Sequence, residues 1–230
     1  MGYLGRLADE AYSICKANSS LLMPEVRGGS LLDLGCDDGE MTVKLAARAG
    51  VSRVYGIDIT SRLRLAAKRG VITRRGDLNH RFPFTRGSMD IVHANQVIEH
   101  VDHIDHFLAE CHRVLKPGGW LVLGTENLAS WHNIAATIFG YQPFSSSNIT
   151  EKVGGLGNPW ALHRGERLAR DVSWMHVTLL SYQAFLEYQE IYGFEVTRTR
   201  GAGYYPFPHF LAALDPRHAV YIHSLARKKP

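Results

Sequence analysis

The sequence predicts an α/β architecture, a mostly parallel sheet with helices on both faces, and three observations carry that prediction. Short apolar runs bounded by turn residues alternate with stretches of helical periodicity between residues 30 and 126. The first of those runs ends in a glycine-containing turn that opens a helix. The composition is that of a folded chain, with 45% hydrophobic and 21% charged residues, close to the averages for globular proteins.

Taken in order, residues 3–22 place Leu7, Ala8, Ala11, Tyr12 and Cys15 at helical spacing and predict a leading amphipathic helix. Ser30–Leu34 is an apolar run too short for a helix and reads as the first strand. Residues 40–49 return to helical spacing and stop at Gly50. Strands follow at 54–59 and 71–75, with a helix over 61–69 between them. A loop over 77–88 leads to a fourth strand at 89–94. Residues 101–114 predict a helix ended by Lys116-Pro117-Gly118-Gly119, and 120–126 a fifth strand. Beyond Asn127 the rhythm breaks. A helix over 128–140 precedes a stretch to residue 170 rich in Gly, Ser, Asn and Pro, the usual composition of a lid or binding loop. A helix over 181–192 and strands at 194–199 and 219–226 complete the chain.

At 230 residues the chain fits one core with insertions, with residues 1–25 as the leading helix and 128–175 as the lid. Cys15, Cys36 and Cys111 form no C-x-x-C pair, which argues for a reducing compartment and against a thiolate zinc site. No leader pattern and no membrane-length apolar run is evident, so a cytoplasmic location without membrane contact is expected. The formal charge of +4 is dispersed. Its densest runs, 62–75 and 227–229, read as a solvated helix face and a soluble tail, an argument against nucleic acid as partner.

The sharpest signal is Leu31-Leu-Asp-Leu-Gly-Cys-Asp-Asp-Gly39, a strand, a tight turn and a helix start. Gly35 and Gly39 admit close approach of a ligand to the backbone, and the helix start offers free N–H groups. A dinucleotide fingerprint would place glycine where Asp37 stands. Asp33, Asp37 and Asp38 would repel a pyrophosphate but attract the ammonium and sulfonium of S-adenosylmethionine (SAM). Asp58 ends the second strand, where a carboxylate can accept ribose hydroxyls, and Ile59 follows as a surface for adenine. Asp77 and Leu78 come after the third strand, in place to meet the adenine amino group.

In this order and spacing, residues 31–126 resemble the class I SAM-dependent methyltransferases that act on small molecules. The matching blocks are residues 31–39, 54–58, 76–90 and 115–119. The resemblance implies a Rossmann-like seven-stranded sheet with its last strand antiparallel and SAM across the carboxyl ends of the first four strands. It also puts Cys36 and Asn95 among the cofactor contacts. The sequence departs from the family at Asp37, where the loop usually has a third glycine.

Gln96-Val-Ile-Glu99-His100 resembles the E-x-x-E-H segment of ubiquinone-pathway and small-RNA methyltransferases, in which carboxylates and histidines can hold a divalent metal. Gln96 replaces the first carboxylate. Glu99, His100 and His176 would leave one formal negative charge, less than Mg²⁺ prefers, and no metal is expected. His100 and then His176 are the candidate catalytic bases, because a sulfonium donor needs only an aligned nucleophile and a proton acceptor. His93 reads as a core histidine, and His103, His106 and His112 as residues of a solvated helix. Phe139, Tyr141, Phe144, Trp160 and the Tyr204-Tyr-Pro-Phe-Pro208 cluster suit an apolar or aromatic substrate. The expected function is methyl transfer from SAM to a small molecule, most readily to oxygen. An RNA-modifying enzyme and a non-catalytic SAM-fold binder are the alternatives; oligomeric state has no local signature.

Overall fold

The structure is a computed structural model that describes residues 3–162, 164–167 and 175–229, and for Tyr3 and Leu4 the backbone only. Trp174 and residues 163 and 168–173 of the expected lid lie outside the described residues. Helices α1 (Tyr3–Leu22), α2 (Glu40–Ala49) and α3 (Leu63–Lys68) alternate with strands β1 (Ser30–Leu34), β2 (Arg53–Asp58) and β3 (Ile72–Arg75). Then come β4 (Met89–Asn95), α4 (Ile104–Val114), β5 (Leu115–Glu126) and α5 (Trp131–Ile138). The chain closes with α6 (Tyr182–Ile191), β6 (Phe194–Ala202), α7 (Leu211–Leu214) and β7 (Tyr221–Lys228).

The strands form one seven-stranded sheet in the order β3-β2-β1-β4-β5-β7-β6. β1 to β5 pair in parallel, and β7 runs antiparallel to both β5 and β6. The chain winds outward from β1 to β3, then returns to place β4 on the other side of β1. This reversal opens a crevice at the carboxyl ends of β1 and β4, the place where open α/β sheets bind ligands.

Alternation of side chains along the strands decides which helix packs where. Leu32, Leu34, Val92, Ala94, Leu121 and Leu123 share a cluster with Phe107, Leu108 and Cys111 of α4 and Phe185 of α6. Leu31, Ile91, Val122 and Leu225 instead meet Leu22 of α1 and Leu45, Ala46 and Ala49 of α2. Burial on both faces explains why β1 is apolar almost throughout rather than alternating.

Polar residues interrupt the α1/α2 face near the carboxyl ends. Asn95 Oδ1 lies 3.1 Å from His223 Nε2 and Cys15 Sγ lies 3.4 Å from the same nitrogen, joining β4, β7 and α1. The contact passes over Gly124 of β5. A Cβ there would fall 2.3 Å from Asn95 Oδ1 and 2.6 Å from His223 Cδ2, so only glycine leaves room for it.

Several boundaries differ from the sequence expectation for identifiable reasons. The helix expected from residue 101 begins at Ile104, because Asn79 Oδ1 accepts the backbone N–H groups of Asp102 (2.8 Å) and His103 (3.2 Å) and holds the chain ahead of it. Residues Ile98–His100 form a single 3₁₀ turn instead. β5 starts at Leu115, not 120: Leu115 pairs with Met89 before the register shifts, and the segment with Pro117, which lacks an N–H, leaves the ladder there. Lys228 belongs to β7 and not to a soluble tail, since its Nζ donates to His112 O (2.6 Å) and Leu115 O (2.8 Å) at the end of α4.

Candidate active site

The turn after β1 is shaped by its backbone. Gly35 and Gly39 have φ of 73° and 78°. A Cβ on Gly35 would come within 2.6 Å of Val97 Cγ2, and one on Gly39 within 2.8 Å of Ala66 Cα. Asp37 adopts φ 45°, a left-handed conformation that aspartate tolerates better than most residues. Its side chain is engaged by Arg62 Nε, while Arg62 and Arg69 approach Asp38 Oδ2 at 3.3 Å and 3.5 Å. The departure from glycine at position 37 is thus met by Arg62, and Asp38 beside it by Arg62 and Arg69, the two residues that flank α3 and bind the loop from outside.

Asp58 is held ready at the end of β2. Its Oδ2 accepts the N–H of Asp37 (2.8 Å) and its Oδ1 the N–H of Thr60 (2.8 Å), so the carboxylate is fixed in place with lone pairs to spare. Ile59 beside it is 55% exposed and offers an apolar surface. Asp77 caps its own turn by accepting from Asn79 N (2.9 Å), and Leu78 packs on the larger core cluster.

Three expected cofactor residues are placed differently. Asp33 is buried, and both of its oxygens are taken: Oδ2 accepts Thr42 Oγ1 at 2.5 Å and Oδ1 meets His93 Nδ1 at 2.6 Å. It braces β1 against α2 and β4 rather than facing a ligand. The Asn95 side chain is engaged by Cys15 and His223, so a cofactor contact from this residue would come from its backbone. The Cys36 side chain is buried under β2, where burial, then Asp33 and Asp58, push its thiol pKa up; only its backbone remains for a ligand.

A cavity of about 920 Å³ is walled by α1, α5, residues 144–148 and 160–162, and the segment around Tyr205; its Gln96 precedes Val97, the residue that lies against Gly35 of the loop. Gln96, His100, Glu126 and His176 reach the cavity together. Gln96 has φ 57°, and its Nε2 is a buried donor without a partner. The His100 and His176 rings lie 4.9 Å apart between centroids. His100 Nδ1 is 2.9 Å from Met175 O and His176 Nδ1 is 2.5 Å from Ser145 O. A carbonyl can only accept, so each Nδ1 carries a proton. Burial holds His100 neutral, with a pKa lowered to about 4.

Glu99 lies behind these rings, fully buried. Its Oε2 accepts Thr125 Oγ1 (2.9 Å), and its backbone carbonyl accepts Val177 N (2.7 Å) and Thr178 N (3.3 Å). It therefore ties the turn bearing His100 to the segment bearing His176. Burial, partly opposed by His176, raises its pKa from 4.5 to about 7. A raised carboxyl pKa contributes stability below the unfolded value that is lost as pH rises through the folded one. Urea unfolding of Glu99→Gln should accordingly show its stability relative to wild type increasing between pH 4.5 and 7; a pH-independent difference would refute the buried, proton-holding state.

Residues 32–123 match the family model described as a methyltransferase domain. The ubiquinone biosynthesis O-methyltransferase of Bradyrhizobium sp. is 34% identical over 120 residues, covering 49% of this chain and 46% of that protein. The fold also aligns with the methyltransferase complexed with the Trm112 activator from Haloferax volcanii, at TM-score 0.65 and 16% identity over 98% of this chain and 95% of the other. A SAM-dependent methyltransferase of Thermotoga maritima aligns at TM-score 0.63 and 18% identity over 97% and 91%. Over residues 32–123 the chain is thus similar to methyltransferase domains, and over nearly its whole length it shares the fold of SAM-dependent methyltransferases. It spans between 30% and 46% of the length of the first curated relatives it matches.

The methyltransferase domain's cofactor is SAM, and the residues present fit it. The loop is open to backbone approach, Asp58 is oriented for hydroxyl donors, and the Gln96 amide is an unsatisfied donor suited to a carboxylate. Among the described residues, no group of three or more His, Cys, Asp or Glu is arranged to hold a metal ion. No described helix is long and apolar enough to cross a membrane.

Sequence reasoning missed Glu126, His132 and Tyr221, all of which line the cavity beside the expected Tyr205. For Glu126 a signal existed: it is a carboxylate at the carboxyl end of a parallel strand, where α/β folds gather ligand contacts. The others come from elements far apart in sequence.

Proposed function

We propose that the protein transfers the methyl group of SAM to a hydroxyl oxygen of a small, largely apolar or aromatic molecule. The observation that carries this reading is His100: a neutral imidazole with Nδ1–H fixed on Met175 O and a free Nε2, on the wall of the cavity that Gln96 also lines. When bound, SAM would supply an activated methyl on a sulfonium. His100 Nε2 would accept the hydroxyl proton of the acceptor, and His176, fixed on Ser145 O, would orient that acceptor. Asp58, the backbone of the Gly35 to Gly39 turn and Gln96 bind the cofactor, with Ile59, Asp77 and Leu78 around the adenine. The segment after α5 is the substrate lid, and α1 closes the cavity from the other side.

Likeness to the ubiquinone biosynthesis O-methyltransferase of Bradyrhizobium supports oxygen as acceptor. Among the described residues that line the cavity none is Lys or Arg, which argues against an RNA substrate, since phosphate contacts need cations. The test is a screen of phenols and aliphatic alcohols with SAM, scored by S-adenosylhomocysteine (SAH) formation and mass gain. Methylation of a phenol supports the reading, and turnover confined to amine or carbon acceptors refutes the choice of atom.

A further inference from the structure

Among the described residues lining the cavity, Asp9 and Glu126 contribute carboxylates and none is Lys or Arg, while burial keeps His100 and His132 neutral, with pKa values lowered to about 4 and about 3. Glu126 is the carboxylate set into the wall, at the end of β5, with a side chain 18% exposed and 3.6 Å from His176 Nδ1. Aromatic rings surround that position. Tyr221 follows it across the β5 to β7 ladder as its register partner. Tyr12 stands edge-on to Tyr221 at 6.4 Å, and Tyr205 lies 4.9 Å from His132. The phenols of Tyr205 and Tyr221 are buried and feel the Glu126 charge, which together raise their pKa. The His132 Nδ1 and Gln96 Nε2 atoms have no partner in the protein, as expected of walls that await a ligand.

A carboxylate among aromatic faces in an enclosed cavity is a site for an organic cation, held by charge and by the rings' negative faces. An anionic molecule entering the same cavity would meet only like charge. We infer that the acceptor carries an ammonium group, anchored by Glu126 between Tyr205 and Tyr221, and that carboxylate or phosphate-bearing acceptors are excluded. This rests on the proposed function and narrows it from an apolar or aromatic molecule to an aryl amine-bearing one. The amine is an anchor; the methylated atom remains the hydroxyl facing His100.

The test uses the full chain saturated with SAH and three probes of one shape: tyramine, its alcohol analogue tyrosol and its carboxylate analogue phloretate. Calorimetric titration should show tyramine binding at least about tenfold tighter than phloretate, with tyrosol between them, a difference that a single charge contact supplies. Glu126→Gln should erase the advantage of tyramine over tyrosol while leaving SAH affinity intact, which also shows that the variant is folded. Equal binding of the three probes, tighter binding of phloretate, or no binding of tyramine to the SAH-loaded protein would overturn the inference alone. An undiminished tyramine preference in Glu126→Gln would overturn the assignment to Glu126. Failure of the wild-type chain to bind SAH would instead remove the methyltransferase reading, and the acceptor site with it.

Discussion

Replacing His100 with alanine should lower turnover by about two to four orders of magnitude while leaving SAM affinity within about twofold, the range expected for loss of a positioned general base. The ring is neutral at physiological pH and fixed by Met175 O, so wild-type activity gains nothing from deprotonating it. His100→Gln keeps a polar side chain without a basic nitrogen and should fall nearly as far. Steady-state kinetics paired with SAH titration check this. Full turnover in both variants would remove His100 as base and pass the role to His176.

Asp33→Ala should act first on stability. Asp33 is 3% exposed and bonded to both Thr42 and His93. Removing the carboxylate strands two buried polar partners and should cost about 3–5 kcal/mol. Total stabilities are about 5–15 kcal/mol, so this is a large fraction. Urea unfolding measures the loss. The fraction that stays folded should still bind SAH. A variant of near-normal stability that no longer binds SAH would show that Asp33 faces the cofactor after all.

These two residues show where the sequence was legible. The alternation of short apolar runs and helical spacing from residue 30 to 126 identified β1, α2, β2 and β4 closely, because burial on both faces makes parallel strands nearly continuous in apolar residues. The glycine turn was equally plain, since Gly35 and Gly39 occupy positive φ that a side chain would obstruct. What a linear reading could not supply was direction. Asp33 and Asn95 have the residue types and positions of ligand contacts, yet each side chain is engaged by a partner 60 or more positions away. The same limit hid the cavity wall, where Tyr12, Glu126 and Tyr221 meet only after β7 inserts between β5 and β6. Boundaries failed where a single side chain ruled, as with Asn79 ahead of α4 and Lys228 at its end.

The most direct test of the central claim is calorimetric titration of the wild-type chain and Asp58→Ala with SAH, set beside NAD. The account predicts that SAH binds and NAD does not, and that Asp58→Ala weakens SAH by roughly tenfold to a hundredfold, the equivalent of about 1.5–3 kcal/mol for hydrogen bonds to a charged carboxylate. Binding of NAD in preference to SAH, or unchanged SAH affinity in Asp58→Ala, would contradict the site built on Gly35 to Gly39 and Asp58.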